Sequence, residues 1–119
     1  MSTHRRALGL DGEAVAASWY ERNGYVVCDR NWRCRDGELD IIAERDRHLV
    51  ICEVKTRSSA RYGSGAAAVD WRKQRTIRAV TAAYLRQRTG PAPASIRFDV
   101  AVVTPGAHGY AIEVIEHAF

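Results

Sequence analysis

The sequence has no long hydrophobic run and few cysteines. No stretch approaches the ~20 apolar residues that cross a bilayer, and the first ten residues lack the apolar block of a secretory signal peptide. Its three cysteines, Cys28, Cys34 and Cys52, have no Cys-x-x-Cys spacing, which argues against a disulfide framework or a zinc knuckle. We therefore expect a cytoplasmic protein with no membrane association and with reduced, partly buried thiols.

Histidine is also sparse, and the chain is short. The four histidines, His4, His48, His108 and His117, are scattered over predicted turns and termini and form no ligand set. A length of 119 residues leaves no room for a second full domain, and 46% hydrophobic with 27% charged residues is ordinary globular composition. We expect one domain over residues 1–119, with residues 1–8 flexible.

Acidic residues are nearly absent from residues 55–88. This segment has nine lysines and arginines against the single acid Asp70, a net charge of +8, whereas residues 1–54 have eight basic against ten acidic residues and residues 89–119 have one against three. Such a local excess attracts polyanions, of which nucleic acid is the most abundant in the cytosol. The alternative is an arginine-rich helix surface that is only solvated.

The order of predicted elements defines a fold class. We predict helices over residues 11–23 and 67–89 and strands over residues 25–28, 38–43, 49–55, 96–103 and 110–115. Asp11 is the expected N-cap of the first helix, and Asp36-Gly37 is a turn signal before the second strand. The order α-β-β-β-α-β-β predicts an α/β protein with a mixed sheet of about five strands flanked by two helices.

Charged residues interrupt two predicted neighbouring strands. Period-two alternation places Glu38 and Asp40 on one face of the first strand, with Leu39 and Ile41 on the other face. It likewise places Ile51, Glu53 and Lys55 on one face of the next strand. A hairpin centred on Asp46-Arg47, as a two-residue turn or a longer loop, places Asp40 opposite Glu53 and Glu38 opposite Lys55; a bulge would shift this register.

Opposed carboxylates suggest a metal site. Directly paired residues have Cβ atoms ~4.5–5.5 Å apart, a spacing at which two carboxylates repel unless a cation lies between them. Oxygen ligands without thiol or imidazole favour Mg²⁺ or Mn²⁺. Lys55 could position or deprotonate an attacking water, and arginine would be a poor substitute because it keeps its proton. The alternative is an exposed strand face with a charge ladder.

Four segments resemble a known family. Leu8-Gly9-x-x-Gly12-Glu13, Arg30-Asn31-x-Arg33, 37–43 (GELDIIA) and 53–57 (EVKTR) are similar to the YraN family of small bacterial proteins, a match that runs from Leu8 to about Val103. That family is assigned to the restriction-endonuclease-like fold and is similar to archaeal Holliday junction resolvases, which carry a PD-(D/E)xK signature. Gly37-Glu38-Leu39 stands where the signature has its proline.

The resemblance implies a role for each matching residue. Asp40 and Glu53 would ligate Mg²⁺ or Mn²⁺, Lys55 would serve the metal-activated water, and Glu13 would approach the same site, with Glu38 in support. Without the resemblance, Glu13 is an acid in the first turn of a helix. Nucleic acid, expected to be DNA, would meet six further residues: Arg57, Arg61, Arg72, Lys73, Gln74 and Arg75.

Three functions remain open. The first is a metal-dependent endonuclease that acts on branched or junction DNA, the second is a catalytically silent nucleic-acid-binding module that works with a protein partner, and the third is a structural domain with a basic face. A nuclease of this kind could act as a monomer or as a homodimer. Trp19, Trp32 and Trp71 are interpreted as core or rim packing in preference to a base-stacking platform.

Overall fold

The fold has two helices and five strands in the predicted order. A computed structural model describes residues 3–57 and 69–119, with side chains from Gly12 onward. The elements are α1 (Thr3–Arg22), β1 (Val26–Cys34), β2 (Gly37–Arg45), β3 (His48–Thr56), α2 (Trp71–Gln87), β4 (Ser95–Gly106) and β5 (Gly109–Ile115). Neither described helix is long and apolar enough to cross a membrane. The predicted α/β fold class is confirmed.

Helix α1 is longer than predicted. It begins at Thr3, so the prediction that Asp11 is its N-cap is wrong. The preceding residues include arginine, alanine and leucine, which are good helix formers and extend the helix towards the N-terminus. At the other end, Gly24 has φ +87° and the Tyr25 N–H returns to the Tyr20 carbonyl at 3.0 Å, which stops the helix. The flexibility of residues 1–8 stays a prediction.

The five strands form one mixed sheet in the order β1-β2-β3-β4-β5. Strands β3 and β4 are parallel, and the other neighbours are antiparallel. A parallel pair needs a long crossover, and the segment between β3 and β4 contains α2. Among the described cysteines, Cys28 is exposed, Cys34 is half-buried and Cys52 is buried, and all three are free. The expected partial burial of the thiols is therefore wrong for Cys28.

Each face of the sheet packs against one helix. Ala16, Ala17 and Tyr20 of α1 join one buried cluster with Tyr25, which directly precedes β1, and with the strand residues Ile41, Ala43, Val50, Cys52 and Ala101. Ile77, Val80 and Tyr84 of α2 join a second cluster with Leu39, Ile42, Leu49, Ile51 and Phe98. Because side chains alternate along β3, Ile51, Glu53 and Lys55 lie on its α2 face, as predicted.

A two-residue turn sets the register of β2 and β3. The Cα pairs run from Arg45 with His48 to Ile41 with Cys52, which confirms a hairpin centred on Asp46-Arg47. Both turn residues have positive φ, +52° and +66°, as a type I′ turn requires. This geometry matches the right-handed strand twist, and it resolves the choice between a tight turn and a longer loop.

The predicted alternation along β2 fails beside Asp40. Leu39 belongs to the α2 cluster and Ile41 to the α1 cluster, although residues two apart in a regular strand share a face. On β1, Asn31 has φ +53° between the pairs Arg30–Ile41 and Trp32–Leu39. A residue with left-handed backbone angles locally twists its strand, so the regular alternation of side chains between the two faces is interrupted at this position. Asp40 therefore lies at an irregular point of the sheet.

A second buried acid has a structural role. Asp99 is fully buried and accepts hydrogen bonds from the Tyr20 hydroxyl (2.6 Å), the Arg97 guanidinium (2.8 and 2.9 Å) and the His117 N–H (3.2 Å). Burial, with the nearby Cys52 and Asp99, raises the pKa of Tyr20 far above its ordinary value, so this phenol stays protonated. Asp99 therefore joins α1, β4 and the C-terminal segment.

Candidate functional site

Asp40 lies where β2 and β3 separate. The paired ladder ends at Ile41 and Cys52, and Asp40 and Glu53 are the next residues on each strand. The Asp40 carboxylate accepts a hydrogen bond from the Val54 N–H at 2.8 Å, so a side chain continues the ladder for one step. Its side chain is buried, with only 9% exposure, and its charge is therefore poorly solvated.

The acidic surroundings disfavour the charge of Asp40. Burial and then the charge of Glu53 raise the pKa of Asp40 from 3.8 to about 7, with smaller contributions from Glu13 and Glu38 and an opposing one from the Val54 N–H. The residue thus behaves as a carboxyl group held among other acids. Such a strongly raised pKa marks candidate functional sites. It also means that a bound cation would relieve unfavourable repulsion.

Helix α1 brings Glu13 towards this carboxyl. Since α1 begins at Thr3, Glu13 lies within the helix and not in its first turn, and the helix-dipole interpretation of this acid is wrong. Its Oε2 atom is shielded from solvent and has no hydrogen-bond partner among the described residues. An orphaned buried carboxylate oxygen is costly, and it agrees with the inclusion of Glu13 in an acidic cluster that takes a ligand.

Gly12 allows α1 to approach β3 closely. A Cβ atom at position 12 would overlap the Thr56 hydroxyl, although it would clear the Thr56 Cβ at 3.4 Å. Gly12 itself is buried and precedes Glu13, and Thr56 follows Lys55. Because glycine has no side chain, position 12 lets the helix come close to β3 and place Glu13 near the separated ends of β2 and β3.

We expect Gly12→Ala to lower the free energy of unfolding by about 1–3 kcal/mol through overpacking. The same change at an open helix position would raise it by about 1 kcal/mol, since alanine is the better helix former. Adding Thr56→Ala removes the overlapping hydroxyl, so the double variant should recover most of the loss. Urea unfolding of the two single variants and the double variant measures this coupling. A Gly12→Ala protein more stable than the wild type would contradict the close approach.

Glu53 and Lys55 complete the group on the α2 face of β3. The Glu53 side chain is 15% exposed, and its Oε1 lies 3.5 Å from the Lys73 Nζ of α2. Burial and then the charge of Arg57 lower the pKa of Lys55 below its ordinary value, while Glu53 acts in the opposite direction. A lysine with a lowered pKa releases its proton more readily, as a base that serves a water molecule must.

Glu38 does not face Lys55, so that predicted pairing is wrong. Glu38 pairs in register with Arg33 of β1, and its carboxylate meets the Arg33 Nε at 2.6 Å. The ladder between β2 and β3 ends at Ile41 and Cys52, so it does not reach Glu38 and Lys55, and Lys55 pairs on its other edge with Val102 of β4. The reason is that β3 leaves β2 after Cys52 and continues beside β4. Glu38 still contributes to the charge around Asp40, which is a supporting role.

The predicted nucleic-acid-binding residues have different surroundings. Lys73 reaches the acidic site, whereas the Gln74 Nε2 donates to the Val69 carbonyl at 2.7 Å and helps to hold the start of α2. Arg72 and Arg75 line an open groove of about 430 Å³ with Asp36, Thr76 and Ala79. The Arg57 N–H donates to the Val103 carbonyl at 2.8 Å, at the end of β3. Arg61 lies outside the described residues.

The carboxylates fit a hard cation with few protein ligands. Within the described side chains, no three His, Cys, Asp or Glu residues converge closely enough to enclose an ion. Mg²⁺ commonly binds through one or two carboxylates and completes its shell with waters and substrate phosphate. Such an ion would offset the repulsion that raises the pKa of Asp40. Its bound water could donate a hydrogen bond to the orphaned Glu13 oxygen. Asp40 and Glu53 would hold the ion.

Sequence reasoning missed two residues. The first is Gly12, whose role depends on its distance from Thr56, a residue 44 positions away in the chain. The second is Trp71, which is 59% exposed and not part of either buried cluster. For Trp71 the packing interpretation is wrong, because the first residue of α2 points away from the sheet. Trp19 and Trp32 do pack against the clusters, as predicted.

The fold and the site together define a class of protein. It is an α/β protein with one helix on each face of a mixed sheet and with a buried acidic group where two antiparallel strands separate. The chain belongs to the uncharacterised protein family UPF0102, also called YraN, whose family model matches residues 12–103. The resemblance seen in the sequence is thus confirmed at the level of the family.

Several relatives match over nearly their whole length. The UPF0102 protein of Frankia alni is 46% identical over 114 residues, which covers 95% of this chain and 94% of the relative. The UPF0102 protein of Geobacter metallireducens is 40% identical over 119 residues, with 100% and 97% covered. That of Rhodococcus jostii is 45% identical over 106 residues, with 89% and 88% covered. The chain therefore spans most of each relative.

Proposed function

We propose that this protein is a Mg²⁺- or Mn²⁺-dependent endonuclease that hydrolyses phosphodiester bonds in DNA, with branched or junction DNA as its substrate. The observation that carries this proposal is the buried carboxyl of Asp40, which has its pKa raised to about 7 and lies beside Glu53. Lys55 is on the same strand as Glu53. The element order and these three residues agree with the restriction-endonuclease-like fold and its PD-(D/E)xK signature. Helix α2, with five basic and no acidic residues, supplies charge complementary to DNA.

Each residue of the group has a part in this proposal. Asp40 and Glu53 would hold the cation, which when bound would stabilise the negative charge that develops on the phosphate. Lys55 positions a water molecule and takes its proton as the water oxygen forms its bond to phosphorus and the P–O bond of the leaving group breaks. Lys73 orients Glu53 through their 3.5 Å contact. Glu13 would act from α1 through a water molecule, since it does not converge with Asp40 and Glu53 into a three-carboxylate group among the described side chains.

The test is cleavage of labelled single-stranded, duplex, flap and four-way-junction DNA and of RNA, with Mg²⁺, Mn²⁺ or EDTA. We expect the wild type to cleave a branched DNA in the presence of metal, and Asp40→Asn, purified identically, to show no cleavage. The variant keeps an acceptor oxygen for the Val54 N–H, so its fold should be retained. Equal cleavage by both proteins would indicate a contaminating nuclease and contradict the proposal.

A catalytically silent nucleic-acid-binding module is the second candidate. Two observations favour it: the basic surface of α2 and the lack of a three-residue metal-binding group among the described side chains. It would act with a protein partner that supplies the chemistry. It predicts salt-dependent DNA binding without cleavage, and no effect of Asp40→Asn on that binding. The same substrate panel, measured by binding, separates the two functions.

A further inference from the structure

Trp71 is an exposed aromatic residue at the start of a basic helix. It is 59% exposed, and it is the sole aromatic among the large exposed hydrophobic side chains of the described residues; the others are Val26 and Ile96. Trp71 is the first residue of α2, directly after the N-cap Asp70. An indole ring usually buries most of its large surface, so exposure at this place calls for a partner with a flat apolar face.

Two guanidinium groups flank the indole ring. The Arg72 and Arg75 Cζ atoms each lie 5.5 Å from the ring centroid, within the range of a cation–π interaction. An aromatic ring beside two cations suits a ligand that joins flat bases to phosphates. Bases stack on such rings whatever their sequence, and arginine contacts the adjacent phosphates.

A groove lies along α2 beside the two arginines that flank this ring. Arg72 and Arg75, which flank Trp71, also line the open groove of about 430 Å³ that runs against the β1–β2 turn at Asp36. Thr76 and Ala79 form its helical side. The first two turns of α2 thus present an aromatic ring, two cations and a concave surface, with the one acid Asp36 at the rim. The positive charge and the concave shape of this groove suit one nucleic-acid strand better than the wider double helix.

The first turn of α2 also reaches the proposed catalytic group. Lys73, two residues after Trp71, reaches the Glu53 carboxylate. A helix turns by about 100° per residue, so Lys73 faces the sheet while Trp71 faces outward from the same turn. A DNA strand that has a phosphate at Asp40 and Glu53 would therefore run along the first turn of α2, and its next bases would come close to the indole ring. Only an unpaired base offers a free face there, since paired bases are covered by their stacked neighbours.

We propose that Trp71, flanked by Arg72 and Arg75, is a stacking platform for an unpaired base of the DNA strand that leaves the proposed catalytic site. The inference rests on the proposed function in that DNA is the ligand, and it adds a requirement for a single-stranded segment beside the bond to be cleaved. Flaps and branch points that open supply such a segment, whereas blunt duplex does not.

The test is DNA binding in EDTA, where no cleavage occurs. Fluorescence anisotropy compares labelled single-stranded, flap and blunt duplex DNA of the same sequence at fixed low salt. Trp71→Ala should weaken binding of the single strand and the flap by about 5- to 100-fold, the range expected for one lost stacked base. It should weaken blunt duplex binding by less than about twofold. Trp71→Phe keeps an aromatic face and should restore most of the affinity.

Two controls separate stacking from charge and from folding. Arg86→Ala removes a cation from the last turn of α2 and should weaken the binding of all three DNAs to a similar extent. Single-stranded DNA should also quench part of the tryptophan fluorescence of the wild type but not of Trp71→Phe, since Trp19 and Trp32 pack against the core. This signal reports directly on contact with the ring.

The outcomes distinguish this inference from the proposed function. Equal effects of Trp71→Ala on single-stranded and duplex DNA, or no effect, would overturn the stacking platform and leave the nuclease proposal intact. Selective loss on single-stranded DNA by a protein that cleaves nothing would support the platform and contradict the nuclease. A wild type that binds no DNA at low salt would overturn both.

Discussion

Lys55→Ala is expected to reduce metal-dependent cleavage by about 10²- to 10⁴-fold, the usual contribution of a group that moves a proton in the reaction. Binding of the same DNA in EDTA should change by less than about threefold, because the basic residues of α2 remain. Burial and the charge of Arg57 lower the pKa of Lys55, so the wild-type rate should rise with pH and level off once Lys55 has lost its proton. The Lys55→Ala profile should lack that rise.

Lys55→Arg separates charge from proton transfer. Arginine keeps the positive charge at position 55 but does not give up its proton at a workable pH. If proton transfer is the role of Lys55, the arginine variant should be nearly as impaired as the alanine variant. Arg22→Ala, which removes a cation from the last turn of α1, is the matched control and should cleave at nearly the wild-type rate. Lys55→Ala activity within about threefold of the wild type would contradict this role.

Asp40→Asn is expected to stabilise the metal-free protein at pH 8 while it abolishes cleavage. Since the pKa of Asp40 is about 7 in the folded protein and 3.8 unperturbed, the folded state holds this proton more tightly than the unfolded state. Its contribution to stability is therefore full below about pH 4 and is lost as the pH rises through 7. One pKa unit corresponds to about 1.4 kcal/mol, and because salt and water weaken the repulsion, we expect a gain on the order of 2–3 kcal/mol for the variant at pH 8.

Urea unfolding in EDTA at pH 4, 6 and 8 measures this effect. The difference between Asp40→Asn and the wild type should be near zero at pH 4 and should grow with pH. Glu38→Gln, the same chemical change two residues earlier on β2, is the matched control; it breaks a surface ion pair with Arg33 and should cost less than about 1 kcal/mol. An Asp40→Asn protein that is less stable than the wild type at pH 8 would show that the carboxylate is not strained.

Replacing EDTA by MgCl₂ extends the same experiment to the proposed metal site. A cation that binds the folded state alone raises the free energy of unfolding, and the gain grows with the logarithm of the cation concentration once this exceeds the dissociation constant. At pH 8 the wild type should therefore gain stability in Mg²⁺, and Asp40→Asn should gain little. Equal gains in both proteins would place the ion elsewhere. This readout is independent of cleavage, so it tests the site even without a known substrate.

Much of the site was predictable from local sequence patterns. The register of β2 and β3 follows from the turn at Asp46-Arg47, and that register brings Asp40 and Glu53 to the end of the same ladder. Alternation along β3 placed Glu53 and Lys55 together correctly because that strand is regular from His48 to Thr56. These predictions held because strand pairing and alternation are short-range and periodic.

Other features depended on residues that are distant in sequence. The left-handed Asn31 of β1 breaks the pleat of β2 beside Asp40, and nothing in the sequence of β2 shows this. The loss of the predicted pair between Glu38 and Lys55 depends on where the ladder between β2 and β3 ends, while β3 keeps its pairing with β4 from His48 to Thr56. The exposure of Trp71 depends on the rotation of α2 about its axis. Each is set by packing between elements, which single-sequence patterns do not contain.

The sequence by itself determined the fold class, the element order and the family, and it singled out the candidate acidic residues and the candidate lysine, because hydrophobic periodicity and short motifs are local properties of the chain. Only the tertiary structure decided that Asp40 is buried beside Glu53 and that Gly12 lets α1 place Glu13 near them. It also decided that Trp71 is exposed and lies next to two arginines. Burial and electrostatic repulsion are properties of the assembled neighbours, since a carboxylate has an ordinary pKa until packing removes its water.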